Sequence, residues 1–82
     1  MITGDQVKAA RALLGWSAGR LADAAGVTVS TVQRMEKARR STTVAERQRA
    51  AVQRALVAAG VEIIDANGGR PGVRLKNVRL LT

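Results

Sequence analysis

GWSAGRLADAAGVTVSTVQRMEK, residues 15–37, is the stretch that decides the fold. Ser17 is a helix-capping residue type, Leu21, Ala22 and Ala25 recur at helical spacing, and Gly26 stops the segment. Thr28 caps a second segment, 29–37. The pattern predicts two short helices joined by a tight turn at Gly26. At about 100° per residue, Ser30, Gln33, Arg34 and Lys37 share one third of the second helix, and Val32 and Met35 lie opposite. One side is therefore held by a core while the other offers hydrogen-bonding groups. Gly19 sits inside the first of the two helices, where it costs about 1 kcal/mol against alanine. Close backbone packing is the explanation the sequence offers for it.

Upstream, Thr3 and Gln6 have capping-box spacing, Val7, Ala10, Leu13 and Leu14 continue as a helical stripe, and Gly15 ends it. Downstream, residues 38–42 form a basic, polar connection containing Arg39 and Arg40. Thr43 and Glu46 suggest another capping box. Residues 44–59 are rich in Ala and Arg, with Val52, Leu56 and Ala59 on one side, and fit one long helix or two short ones. After Gly60 the period changes. Residues 61–64 (VEII) are β-prone, 67–72 (NGGRPG) are dense in turn residues, and Val73-Arg74-Leu75-Lys76 alternates apolar and charged. This predicts a β-hairpin. A lone two-stranded hairpin is weak in water. It must pack on its own helices or pair with a second copy, and we take Val61, Ile63, Ile64, Val73 and Leu75 as dimerisation residues. The organisation expected is a helical domain over 1–59 with its motif at 17–37, a hairpin over 60–76 and a tail over 77–82.

Composition narrows the chemistry. The chain has 82 residues, 14 Lys+Arg against 6 Asp+Glu, and a net charge of +8. That balance calls for a polyanionic partner. Without Cys or His, disulfides and thiolate or imidazole metal sites are excluded, and no cofactor is expected. The six acids (Asp5, Asp23, Glu36, Glu46, Glu62, Asp65) are scattered, so no paired carboxylates suggest an enzyme. No apolar run approaches the roughly 18 residues of a membrane span, and no signal pattern opens the chain. A cytoplasmic, nucleoid-associated protein with no membrane partner is expected. Trp16 is the sole aromatic, which argues against single-strand readers that stack bases on aromatic rings.

Double-stranded DNA fits both the charge and the motif. Arg34 can fork onto guanine O6 and N7, worth ~1–3 kcal/mol of discrimination. Gln33 suits adenine or a phosphate, Ser30 can donate or accept, and Val29 can pack on a thymine methyl. Thr28 and Thr31 flank this edge as phosphate contacts. Lys37, Arg39 and Arg40 would supply charge to the backbone, and Ser17, at the start of its helix, would anchor a phosphate.

Leu13-Gly15-Trp16-Ser17, Leu21-Ala22, Ala25-Gly26-Val27, Ser30-Thr31-Val32 and Met35-Glu36 together resemble the helix-turn-helix of the Cro/C1-type (XRE-like) repressors, over about residues 4–59. The resemblance implies a mainly α, lambda-repressor-like fold of about five helices, here followed by a C-terminal β-hairpin. It implies base reading at Val29, Ser30 and Arg34, phosphate contact at Ser17 and Lys37, and an Arg11–Glu36 pair. An acid facing DNA would repel it, so Glu36 on the flank of the core is consistent. One departure stands out. The family usually has Gln after the capping Ser, and this chain has Ala18. The GVEII…NGGRPGVRL stretch is similar to the C-terminal extension of a subset of small bacterial regulators.

The function expected is a sequence-specific, double-stranded-DNA-binding transcription regulator, acting as a homodimer on a palindromic operator. RNA polymerase or another regulator would be a protein partner. The alternative is an antitoxin or antiactivator that keeps the fold but works by binding a protein. Ala18 and an apolar hairpin motivate it.

Overall fold

The computed structural model describes residues 2–37, 45–64 and 72–75. Their order is α1 (Gly4–Leu14), α2 (Ala18–Ala25), α3 (Val29–Lys37), α4 (Glu46–Ala58), β1 (Val61–Ile64) and β2 (Gly72–Leu75). The architecture is mainly helical with a small antiparallel hairpin. Four helices, rather than the five expected, are present among the described residues. Among the described residues of that stretch, Glu46–Ala58 form one continuous helix rather than two.

Local chemistry sets the helix ends. At α1, Thr3 Oγ1 accepts from the Gln6 backbone N–H at 3.1 Å, and Gln6 Oε1 accepts from the Thr3 N–H at 2.8 Å. This reciprocal cap satisfies two otherwise orphan donors. At α4 the N-cap is Ala45, with no side-chain cap. The Thr43 proposed for that role lies outside the described residues, as do Arg39 and Arg40.

The core gathers one face from each helix. Val7 and Ala10 of α1, Leu21 and Ala22 of α2, Val32 and Met35 of α3, and Val52 and Leu56 of α4 are all buried, with Ile2 and Val61 closing the two ends. Leu13, read as part of the α1 stripe, is 43% exposed instead. At about 100° per residue it points away from the side shared by Val7, Ala10 and Leu14, and Leu14 packs on the core in its place.

The hairpin pairs Val61 with Leu75, Glu62 with Arg74, Ile63 with Val73 and Ile64 with Gly72. Its inner side packs on the chain's own helices, β2 against α1 and β1 against α4. Val61 is fully buried there, so its side chain belongs to the monomer core and is not available to a partner. Ile63, Val73 and Leu75 are half-buried against the same core, and Ile64 is the exposed apolar residue of the set. On the outer side, Arg74 Nε donates to Glu62 Oε1 at 2.8 Å. That ion pair is exposed and contributes little stability.

Gln6 ties the hairpin to the helices. Its Nε2 donates to the Ile64 carbonyl at 2.8 Å and to the Gly72 carbonyl at 3.0 Å. One buried side chain therefore caps α1 and clamps both strands at the last residue pair of the ladder. Gln6→Ala removes a cap and leaves two strand carbonyls without their donor. We expect a loss of ~2–4 kcal/mol in urea unfolding, with hydrogen-exchange protection lost first at the hairpin.

No helix among the described residues is long and apolar enough to cross a membrane.

Candidate nucleic-acid interface

The site begins with the turn between α2 and α3. Gly26 adopts φ 73° and ψ 32°, a left-handed conformation that glycine enters without penalty. Its N–H donates to Asp23 O at 3.4 Å, and the Val27 N–H reaches Ala22 O at 3.0 Å. These two bonds close α2 and reverse the chain within three residues. Thr28 then opens α3, its Oγ1 accepting from the Thr31 N–H at 3.1 Å.

Three contacts fix how α3 sits. Val32 and Met35 are fully buried beneath it. Arg11 and Glu36 form a forked ion pair, Nε to Oε2 at 2.7 Å and Nη2 to Oε1 at 2.9 Å. Arg11 Nη1 also donates to the Trp16 carbonyl at 3.0 Å, so one guanidinium joins α1, α3 and the approach to α2. The hydrogen bond to Glu36 raises the Arg11 pKa above its ordinary value, charge attraction adds to this, and partial burial opposes it. The charge is thus retained throughout the physiological range. Finally, Gly4 lies against the carbonyl end of α3. A Cβ at Gly4 would overlap Met35 O and come within 3.1 Å of Glu36 O and 3.2 Å of Glu36 Cα.

With its back held in this way, α3 turns Ser30, Gln33, Arg34 and Lys37 to solvent. Val29 is 41% exposed at its start. These five residues form one continuous surface. Among the described residues the Arg34 guanidinium has only a long 3.5 Å contact to Thr31 Oγ1, which leaves its fork available to a ligand. Ser17 Oγ accepts from the Arg20 N–H at 3.0 Å. A hydroxyl that accepts one bond still has its proton to donate.

Thr31 is placed differently from its companions. It is 3% exposed, and its Oγ1 lies 3.0 Å from Thr28 Oγ1. It stands under the rim, bracing the cap of α3. Its i,i+4 relation to Met35 was the sequence signal for burial. Arg20 is a cation that sequence reasoning passed over. Its guanidinium carbon lies 5.1 Å from the centre of the Trp16 ring, within cation–π range. The four-residue spacing was the available clue.

Comparison with known proteins agrees with this geometry. No curated protein matches the chain. A family model described as helix-turn-helix matches residues 7–49, just over half of it. That span runs from the core of α1 to the first turn of α4 and includes the whole α2–turn–α3 unit. The chain belongs to the Cro/C1-type (XRE-like) helix-turn-helix family of DNA-binding regulators.

Proposed function

We propose that this protein is a sequence-specific transcription regulator that binds duplex DNA as a homodimer, with α3 in the major groove of each half-site. The observation that carries this reading is the exposed face of α3, which sets Ser30, Gln33 and Arg34 side by side over a fully buried Val32 and Met35. Arg34 forks onto a guanine edge, Gln33 and Ser30 read neighbouring bases, and Val29 packs on a thymine methyl. Ser17, Thr28 and Lys37 hold phosphates, joined by Arg39 and Arg40, while Thr31 acts through the hydroxyl of Thr28. Two copies bind half-sites about one helical turn apart, ~34 Å. The copies meet on the hairpin side, where Ile64 offers the exposed apolar surface. Regulation follows from occupancy of the operator.

Selection from a random duplex pool tests this. A two-fold symmetric site with half-sites one turn apart is expected, with two protomers per duplex by sedimentation. Enrichment of no sequence, with binding that vanishes at near-physiological salt, contradicts it and favours the protein-binding alternative.

A further inference from the structure

The two ends of the hairpin ladder are held by unlike means. At one end Val61 is fully buried in the core and follows Gly60, whose φ of 103° is open to glycine. At the other end stands the pair Ile64–Gly72. Gly72 has no side chain and Ile64 is exposed, so apolar packing contributes little there. The hold is polar instead. Both N–H groups of the Gln6 amide go to this pair's carbonyls, at 2.8 Å and 3.0 Å, and its Oε1 takes the Thr3 N–H. Gln6 is 3% exposed. The ladder spans roughly 10 Å at ~3.3 Å per residue. Gln6 therefore grips the far end of a lever whose near end is joined to α4 through a glycine.

The same residue belongs to the first turn of α1. That helix meets α3 through Gly4, which abuts the carbonyls of Met35 and Glu36, and through the Arg11–Glu36 fork. The path from the hairpin to α3 thus runs through short hydrogen bonds and close backbone contact, with no loop in it. We propose that Gln6 is a positioning residue that sets half-site spacing: it locks the hairpin at one angle to α3, and in the dimer that angle fixes how far apart the two reading helices stand. This rests on the homodimer meeting on its hairpin side with α3 in the groove. Half-sites ~34 Å apart put each α3 ~17 Å from the two-fold axis. A swing of ~6° in each protomer then changes their separation by ~3.5 Å, about one base-pair rise. One added base pair also turns one half-site by ~34° relative to the other. A dimer with a locked hairpin rejects both changes, and one with a loose hairpin follows them.

Gln6→Glu keeps the cap and cuts the clamp. Its carboxylate still accepts from the Thr3 N–H, as in a Thr-x-x-Glu box, but has no N–H for the two strand carbonyls. Affinity is measured on the duplex selected by the wild type, on versions with one base pair added or removed between the half-sites, and on a single half-site. The wild type is expected to lose ~100-fold or more on each altered spacing, because one reading helix disengages. Gln6→Glu is expected to lose less than about tenfold there and to bind the single half-site as the wild type does. Gln6→Ala, measured below its melting temperature, should relax the spacing in the same way. Variants that weaken every duplex alike and keep the wild-type preference for one spacing overturn the proposal, since Gln6 would then serve only the fold. A wild type that binds all three spacings equally also overturns it, whether or not the variants fold. Failure of the wild type to select any two-fold site is a distinct result, which removes the dimer reading and this proposal together.

Discussion

Gly4→Ala is expected to destabilise the protein by about 2 kcal/mol, although alanine is the better helix former. The sign follows from what the methyl group meets. At Gly4 it would overlap the Met35 carbonyl and press on Glu36. These are backbone atoms of α3, which cannot swing aside as a side chain can. Relief requires α1 and α3 to part, and the same movement strains the Arg11–Glu36 fork and unseats Met35. A domain of this size has ~4–12 kcal/mol in total, so the change is a large fraction of it. Thermal unfolding should show a fall of roughly 8–16 °C. Gly19→Ala, the same substitution one helix later, is expected to raise the melting temperature, because a Cβ there meets nothing closer than Ser17 Oγ at 3.8 Å. An unchanged or raised melting temperature for Gly4→Ala would mean that the α1–α3 contact is looser than described.

Arg34→Ala should lose ~1–3 kcal/mol of discrimination at a single base pair of each half-site, about five- to 150-fold, and leave the remaining positions intact. Lys37→Ala should behave differently. Lys37 is exposed at the C-terminal end of α3, where the proposed reading has it supply charge to a phosphate. Its loss should weaken all sequences alike and reduce the slope of log affinity against log salt by about one. Titrations of both variants against the selected site, a site changed at one base pair, and unrelated DNA, each over a range of salt, distinguish the two roles. Equal losses on every sequence from both variants would contradict the assignment of Arg34 to a base.

What was legible in the sequence was local. The Thr3–Gln6 box, the glycine stops at Gly15 and Gly26, and the Val32–Met35 seam depend on neighbours within one helical turn, and they set the α1, α2 and α3 boundaries. The hairpin was legible from its alternation, although its second strand begins at Gly72, one residue earlier than read. What escaped was long-range. Nothing near Gln6 in the chain signals that its amide reaches strands 58 and 66 residues away. A buried glutamine and a solvated one look alike in sequence. Gly4 carried no signal either, because its requirement comes from the carbonyls of Met35 and Glu36. Val61, read as part of a dimer surface, shows why a hairpin is ambiguous. An apolar strand face needs cover, and the sequence does not say whether its own helices or a second copy provides it. Here α1 and α4 provide it for the inner side.

The central claim is that the exposed side of α3 lies in the major groove against base edges. Guanine N7 lies on the floor of that groove, so methylation there is the most direct probe. With the selected duplex, N7 methylation should block binding at specific guanines in each half-site, and one of those positions should become indifferent in the Arg34→Ala variant. Wild-type binding that tolerates N7 methylation at every guanine of a guanine-containing site, while remaining sensitive to phosphate ethylation, would contradict the account.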